Sequence, residues 1–566
     1  MGDYSSVSEK FVHAFAFAFI LVLYLATVWV FDYFPSQDGP AHVSTAATLA
    51  NLGNPDWPVF DQYFKANWKL STNQLVAATL MALMTLFEPD TAEKIIVSIY
   101  VLFLPISMLY ALSYDRKPFK FAVFLIFPFV FSRLPHMGFF NFSIGLVFFL
   151  FIIGYAFRHY DRPRLRHAGI LLTLLIASYF VHIMAAACAV MAVSVLAVAR
   201  LVEAAANNRG RLAQGGRAVS PAIWFGSSAV AATCVAMIYV ILRFGDKLGL
   251  QIFDFGHWAT NFVRFAALSS LMVFGVQDVI FALLFSLFLL ILAILTLSSE
   301  IRYDRFRGAK PLLAVFGVFA VVFLMIPSVV FLPGRLSLFL YFLIIIWLGR
   351  LQLQRKLQLF VGSLCVIVAI GALAYRVPTY INLNNKLVEY ASAASVFEPG
   401  ATLFAIAEPN VFHMSWIHTL PAAIGLTGSQ SDGAPPTGQF ERVKVFLHAH
   451  GRLTTEARLV NLSNYQTPLS IFPLHVRPTL NPSQYIYVQY VEDAGPERPG
   501  RPPYRGFAAY AEDTGGQIDY VLLWEMYHHL TKQRNGRALL AELERDYDLV
   551  HVSKPGGFLR VYRRRP

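Results

Sequence analysis

Apolar stretches of close to 20 residues recur along this chain from Phe11 to about Tyr375, and then stop. A helix of about 20 apolar residues crosses the ~30 Å hydrocarbon core of a bilayer, where backbone hydrogen bonds must be closed within the segment. The 566-residue chain is 56% hydrophobic and only 14% charged. The pattern therefore predicts a polytopic α-helical membrane protein.

We expect about eleven transmembrane helices on this pattern. Single helices are predicted at 11–31, 92–112, 119–133, 141–157, 220–243, 271–297, 311–332, 336–349 and 357–375. The stretch 168–199 has basic flanks on both sides and so requires an even number of crossings. Two short helices that turn near residues 178–182 satisfy that requirement.

The net charge of +12 follows membrane topology rather than one basic patch, so nucleic acid is not an expected partner. One alternate set of loops holds eighteen Lys and Arg residues and the other holds seven. By the positive-inside rule the first set is cytoplasmic. The first apolar run is too long for a signal peptide, which predicts a retained span with a cytoplasmic N-terminus.

Two domains are predicted: a transmembrane domain at 1–375 and an extracytoplasmic α/β or α+β domain at 376–566. The outer loop 32–90 contains an apolar segment, 75–87, that is too short to cross and is expected to lie on the membrane. In the tail we predict strands at 401–406, 485–488, 518–524, 549–553 and 558–562, a helix at 535–547, and loops at 427–439 and 493–506.

A polar cluster directly follows the first span, where Gln37, Asp38 and His42 open the outer loop. A carboxylate at a membrane-lined cleft is suited to take the proton of an acceptor group. Asp38 followed by Gly-Pro is also a good start for a helix, and the two interpretations are compatible. His42 would share a helix face with Asp38 and contact phosphate, tune the Asp38 pKa, or form a boundary contact.

Basic residues at predicted outer ends of spans are candidates for binding phosphate. Arg133 and His136 close the third span, Arg335 lies in a short outer turn, and His182 lies at the predicted hairpin turn. Each also fits an interfacial position, with an Arg side chain extended toward lipid headgroups. Two candidate ligands, Asp38 and His42, are too few to predict a metal site.

The histidines of the tail, His448, His450 and the pair at 528–529, are not spaced like a metal site. Histidines without such spacing are by default solvated surface residues. These four side chains are therefore predicted to be solvated. The sequence defines no cofactor, and a divalent cation remains an alternative that the candidate ligands are too few to support.

In this arrangement the chain resembles the GT-C superfamily of integral-membrane glycosyltransferases. The resemblance rests on the many spans, the acidic motif after span one, the membrane-lying helix of the first loop and the tail pattern at 518–524, 547–550 and 558–562. It implies that Asp38 is the catalytic base and that Arg335 holds the donor phosphate, aided by Arg133 or His136.

The resemblance further implies a polyprenyl-phosphate-linked sugar as donor, an acceptor that is a lipid, glycan or protein, and a place in the bacterial inner membrane. Within the superfamily the chain resembles bacterial protein O-mannosyltransferases and lipid A aminoarabinose transferases. Their acidic motif is usually Asp-Glu or a close variant, whereas here Gln37 precedes Asp38. That departure argues against dependence on a divalent cation. Two rival functions remain: a transporter or lipid flippase, and a non-catalytic envelope scaffold that would tolerate Asp38→Asn.

Overall fold

The computed structural model describes residues 2–566 except 69–71, 115–119, 162–163, 208–225, 234–256, 326–331, 408–442, 470, 483–484, 487–503 and 533. The described part is mostly helical, with a small mixed sheet near the C-terminus.

The helices of the first part of the chain are numbered here in chain order. They are α1 (Gly2–Trp29), α2 (Gly39–Asn51), α3 (Pro58–Tyr63), α4 (Leu75–Leu83), α5 (Pro89–Leu112), α6 (Phe127–Val130), α7 (Arg133–His136), α8 (Phe140–Arg158), α9 (Leu165–Val181), α10 (Ile183–Asn207), α11 (His257–Ala266), α12 (Val276–Arg302), α13 (Phe306–Met325), α14 (Leu332–Leu348), α15 (Arg355–Ala374) and α16 (Val377–Ala391).

Four further helices belong to the tail: α17 (His450–Glu456), α18 (Gly506–Thr514), α19 (Tyr527–Lys532) and α20 (Arg534–Asp546). The strands are β1 (Phe64–Ala66), β2 (Thr402–Ala407), β3 (Val460–Asn461), β4 (Leu474–Val476), β5 (Tyr520–Trp524), β6 (Tyr547–Val552) and β7 (Leu559–Arg564).

Seven helical segments of the described chain are long and apolar enough to cross a membrane. They lie within α1, α5, α8, α10, α12 and α13, and in the continuous helical stretch Arg355–Val396. Large apolar side chains on α12 are exposed, among them Leu284 at 64% and Ile280 at 57%. Exposed apolar surface of this extent suits a lipid environment, so the coarse prediction of a membrane-embedded helical protein is supported.

The predicted span at 119–133 is not one regular helix. Residues Lys120–Ile126 form a 3₁₀ helix, which is followed by the separate short helices α6 and α7. Pro128 lacks the N–H that would bond the carbonyl of Phe124, which explains why a continuous α-helix does not form. The predicted span at 220–243 falls largely outside the described residues, of which 226–233 are helical.

The stretch predicted as two short helices does break where expected. α9 ends at Val181, His182 is its extended C-cap, and α10 begins at Ile183. The two helices pack on each other and both pack on α8. α9 has 17 residues and α10 has 25, so α10 runs beyond the predicted limit of 199.

The first loop carries α2, α3, β1 and α4. The predicted membrane-lying segment at 75–87 is helical over Leu75–Leu83, and it packs on α2, α5 and α8. Exposed Leu75, Leu86 and Phe87 leave apolar surface at the two ends of this segment. Such surface is what a helix lying on a membrane presents to lipid.

The tail folds around a five-stranded mixed sheet in the order β3-β2-β5-β7-β6. β2 is parallel to β3 and β5, while β7 is antiparallel to β5 and β6. The predicted elements near 401–406, 518–524, 535–547, 549–553 and 558–562 are all confirmed within three residues of their ends. Residues 485–486 are not a strand, whereas 487–488, the predicted loop 427–439 and most of the predicted loop 493–506 lie outside the described residues.

The tail is tied to the first loop and to the helices. β4 pairs antiparallel with β1 of the loop, so the two regions share a small sheet. α17 packs on α2 closely enough that a Cβ on Gly451 would lie 2.3 Å from the carbonyl oxygen of Pro40. Trp524 of β5 stacks on Phe446 at 4.5 Å between ring centroids and belongs to the same core as the membrane helices. Through this packing, residues within 443–467 contact the start of α2.

Candidate functional site

The segment that leads into α2 is held against α7 by its backbone. The amide of Gln37 donates to the carbonyl of His136 at 2.8 Å, and the amide of Asp38 donates to that of Met137 at 3.3 Å. Gly138 has φ of +76°, and a Cβ there would lie 2.8 Å from the Cβ of Asp38. The two polar clusters predicted separately around Asp38 and His136 are therefore adjacent in space.

The Asp38 side chain is directed into the protein, 4% exposed. Its Oδ2 accepts a hydrogen bond from the Tyr465 hydroxyl at 2.9 Å, and its Oδ1 accepts one from Gln37 Nε2 at 3.1 Å. The Nε2 atom of His448 lies 3.7 Å from Oδ1. Asp38 does occupy the N-cap position of α2, yet among the described residues its carboxylate caps no helix amide. The carboxylate thus makes its hydrogen bonds to side chains and not to the backbone amides of α2.

Burial raises the pKa of the Asp38 carboxyl to about 6. The hydrogen bonds from Tyr465 and Gln37 and the positive charge of Arg335 act in the opposite direction. Burial also raises the pKa of Tyr465 well above 10, which keeps this phenol a hydrogen-bond donor. A carboxylate with a pKa just below neutrality is well matched to accepting a proton at physiological pH.

His42 lies one helical turn after Asp38, as predicted, but it turns toward the tail. Its Nδ1 lies 3.1 Å from Nε2 of Gln466, and its ring packs against Phe140 and Phe472. Burial lowers its pKa to about 4, so the ring is neutral at pH 7. A neutral, bonded His42 supports the position of α2 beside residues 465–466.

The tail histidines were predicted to be solvated, and for two of them that prediction is wrong. His450 is 2% exposed and the His448 side chain is 12% exposed. The His448 ring stacks on Tyr465 with centroids 4.5 Å apart and stands beside Asp38. Packing of α17 on α2 buries them, and this contact joins residues more than 400 positions apart in the chain.

Arg335 lies in the first turn of α14, where its guanidinium stacks over Phe139 at 4.5 Å and near Phe142 at 5.6 Å. Its charge acts on both Asp38 and Tyr465. Among the described residues Arg335 forms no ion pair, and its buried Nε atom has no hydrogen-bond partner. A cation with an unused donor, close enough for its charge to act on a buried carboxylate, is equipped to hold an anionic oxygen.

The other basic candidates occupy different surroundings. His136 is fully buried, and its two ring nitrogens lie 3.0 Å from the carbonyl of Pro35 and 2.9 Å from the hydroxyl of Tyr380. It therefore holds the Asp38 segment in place from within. Arg133, at the start of α7, is partly buried, and its phosphate role stays a prediction.

His182 packs edge-on against Phe142, the ring that Arg335 also approaches. Its Nδ1 accepts a hydrogen bond from the amide of Met184 at 3.2 Å. The side chain is 7% exposed and thus supports the Phe142 side of the Arg335 environment. No group of three or more His, Cys, Asp or Glu residues suited to a metal ion occurs in the described part of the chain.

Sequence reasoning found Asp38, Gln37 and Arg335 but missed the tail side of the site. Tyr465 and His448 contact the carboxylate, and the amide of Lys444 donates to Oε1 of Gln37 at 2.9 Å. A signal was present, because residues 461–467 form a polar run, Asn-Leu-Ser-Asn-Tyr-Gln-Thr, in a tail otherwise rich in apolar strands.

The fold and site together define a polytopic helical membrane protein. Its candidate site has a buried carboxylate on which the charge of a guanidinium acts, and that guanidinium has no ion-pair partner among the described residues. Comparison with known protein families finds no family model that matches this chain, and comparison with curated proteins finds no matching relative.

Proposed function

We propose that this protein is a membrane glycosyltransferase of the GT-C type. It would move a sugar from a polyprenyl-phosphate donor to an extracytoplasmic acceptor with inversion at the anomeric carbon. The observation that carries the proposal is the buried Asp38 carboxylate, which accepts a hydrogen bond from Tyr465 at 2.9 Å and on which the positive charge of Arg335 acts. A base and an anion-binding group are thereby present in one site, which are the two functions such a transfer needs.

The proposed reaction is a single displacement. Asp38 accepts the proton of the acceptor hydroxyl as its oxygen attacks the anomeric carbon, and the bond from that carbon to the phosphate oxygen breaks. The electron pair leaves with polyprenyl phosphate, whose negative charge Arg335 stabilises. A phosphate leaving group needs positive charge more than it needs a proton, so Arg335 supplies the larger part of leaving-group assistance.

The topology that goes with this function is also a proposal. It comprises about eleven spans, a cytoplasmic N-terminus, a tail outside the cytoplasm and a bacterial inner membrane. Seven sufficiently long apolar helical segments in the described part of the chain support such an arrangement.

The proposal is tested by transfer of radiolabelled sugar from a panel of polyprenyl-phosphate sugars, with membranes that carry equal amounts of each variant. We expect Asp38→Asn to lose transfer or donor consumption by at least about 100-fold, the usual contribution of a general base. Asp32→Asn is the matched control, because Asp32 is exposed and six residues away, and it should retain activity.

Arg335→Gln should weaken donor use, with Arg302→Gln as control because Arg302 is exposed. Full activity of Asp38→Asn would refute this site. Failure of the folded wild type to turn over any donor would favour transport or a scaffold role instead.

A further inference from the structure

A cavity of about 310 Å³ lies on the tail side of Tyr465 and His448. It opens at the C-terminal ends of the parallel strands β2 and β3, where open sheets containing parallel strands commonly bind ligands. Its volume is at the lower end of the ~300–1,000 Å³ range of ligand pockets. Among the described residues, the polar side chains that line it beside Tyr465 are His448, His450, Ser463, Asn464, Thr467 and Asn481.

The histidines of this lining have few hydrogen bonds to the described residues. His450 is 2% exposed, and Nδ1 of His448 is buried without a hydrogen-bond partner. The backbone of Ser463 acts on the His450 ring, but neither ring nitrogen makes a hydrogen bond of ordinary geometry to a described residue. A buried polar atom left unbonded costs about 1–3 kcal/mol. A ligand that carries hydroxyl groups would satisfy these atoms.

The described lining carries no charged side chain. Burial lowers the pKa of His450 to about 4 and that of His448 well below its ordinary value, so both rings are neutral at pH 7. Apolar side chains such as Leu447 and Leu462 and the aromatic ring of Tyr465 complete the wall. An uncharged molecule with both hydroxyl and C–H faces fits this surface better than an anion does.

The cavity adjoins the proposed catalytic carboxylate. Tyr465 and His448 stack on each other, line the cavity and contact or approach Asp38 on their other side. A molecule bound here would lie next to the reacting group without displacing it.

We propose that this cavity binds an uncharged saccharide unit of the acceptor, adjacent to the unit that reacts at Asp38. The assignment of this saccharide to the acceptor rests on the proposed function. The saccharide binding itself can be measured without any transfer reaction.

The experiment is saturation-transfer-difference NMR on the full chain in nanodiscs. The probes are methyl α-glucoside, methyl α-mannoside, N-acetylglucosamine, glucuronate and an uncharged serine tetrapeptide. We expect saturation transfer to at least one neutral saccharide and weaker transfer to glucuronate and to the peptide. His450→Leu should weaken saccharide binding by about fivefold or more, the effect of losing one hydrogen bond.

Two further variants make the outcome decisive. Because the His450 nitrogens make no hydrogen bond of ordinary geometry to a described residue, His450→Leu should change the apparent unfolding temperature little. His551→Leu, on β6 at the opposite edge of the sheet from β3, is the control for binding. Ala407→Leu fills part of the cavity without removing a polar side chain, and it should weaken binding at least as much as His450→Leu.

Binding of no neutral saccharide, preference for glucuronate or the peptide, or undiminished binding in both cavity variants would each overturn the inference. Asp38→Asn separates the two proposals, because it should lose transfer and keep saccharide binding. Saccharide binding without any transfer would defeat the proposed function and leave a saccharide site.

Discussion

The carboxyl of Asp38 has a pKa of about 6 in the folded protein, against an ordinary value of 3.8. Between these values the folded state binds more protons than the unfolded state, so the free energy of unfolding falls as the pH rises. The free energy of unfolding falls by about 3 kcal/mol over this range, and it falls no further above pH ~6. Ionisation of this residue therefore destabilises the fold at the pH where a base would work.

We accordingly expect Asp38→Asn to raise the apparent unfolding temperature at pH 8 and to change it little at pH 4. Thermal unfolding of nanodisc samples, followed by tryptophan fluorescence at both pH values, measures this. The exposed Asp32→Asn should show no such pH-dependent gain. A lower unfolding temperature for Asp38→Asn at pH 8 would mean that the ionised carboxylate stabilises the fold.

The hydroxyl of Tyr465 lowers the Asp38 pKa by donating to its Oδ2 atom. A hydrogen bond to a charged group contributes about 1.5–3 kcal/mol, which corresponds to about one to two pH units. In wild type the transfer rate should rise with pH around pH 6. For Tyr465→Phe we expect this rise to shift to higher pH by about one to two units. Tyr390→Phe is the matched control, since the buried Tyr390 hydroxyl has no described partner. An unshifted profile would show that Tyr465 does not tune the base.

At the scale of elements, the approach of α7 to α2 depends on Gly138. This residue has φ of +76°, and an added Cβ would meet Gly39 N at 2.6 Å and Asp38 Cβ at 2.8 Å. Gly53 has the same φ, but a Cβ there would have no atom within 4 Å. Alanine substitutions at Gly53 and Gly138 therefore distinguish two contributions to the free energy of unfolding. Both include the strain of a left-handed backbone, and only Gly138→Ala also displaces Asp38.

We expect Gly53→Ala to lower the free energy of unfolding by about 1 kcal/mol and to keep activity. Gly138→Ala should cost about 1–3 kcal/mol more and lose most transfer, because the Asp38 segment must shift. Parallel unfolding and transfer assays on the two variants measure this. Equal behaviour of both variants would show that the close contact does not position the carboxylate.

The sequence predicted elements well where one local signal dominates. Apolar runs located α1, α5, α8 and α12 to within a few residues at most ends, and β-rich runs located β2 and β5. The break of the third span at Pro128 was missed, because hydropathy does not register a missing N–H. The Asp38 cluster was recognised because its polar residues stand between apolar segments.

The other half of the site was beyond local reasoning. Tyr465 meets Asp38 across 427 positions of sequence, and hydropathy or periodicity of either segment carries no information about such a contact. His448 is buried against Tyr465 and Asp38, and His450 lies at the start of α17, which packs on α2. Their surroundings are a property of tertiary packing, whereas the default for an unassigned histidine is a solvated surface.

At the scale of the whole molecule, the buried ion pair between Arg452 and Glu93 connects the tail to the membrane helices. Arg452 of α17 bonds Glu93 of α5 at 2.8 Å, and it also contacts Asp90 and the carbonyl of Phe34. Glu93 is 1% exposed and accepts a second hydrogen bond from Ser36 at 2.5 Å. The same carboxylate thus connects the tail, α5 and the segment that leads to Asp38.

Arg452→Met should lower the free energy of unfolding by about 3–5 kcal/mol, because it leaves Glu93 buried and unpaired. The double variant Arg452→Met with Glu93→Met should recover part of that loss, since it removes both charges. Thermal unfolding of the single and double variants measures the coupling. Breaking the exposed pair Arg505–Asp513 by Arg505→Met should cost no more than about 1 kcal/mol. A similarly small effect for Arg452→Met would exclude this anchoring role.

The joining of the start of the chain to its tail has a consequence for synthesis. The ribosome adds Tyr465 only 427 residues after Asp38. Strand β1 likewise waits for β4, which comes after residue 470. A nascent chain that contains Asp38 but not yet Tyr465 has only the Gln37 side of the site. The site is therefore completed late, and a product terminated between these two residues lacks its tail side.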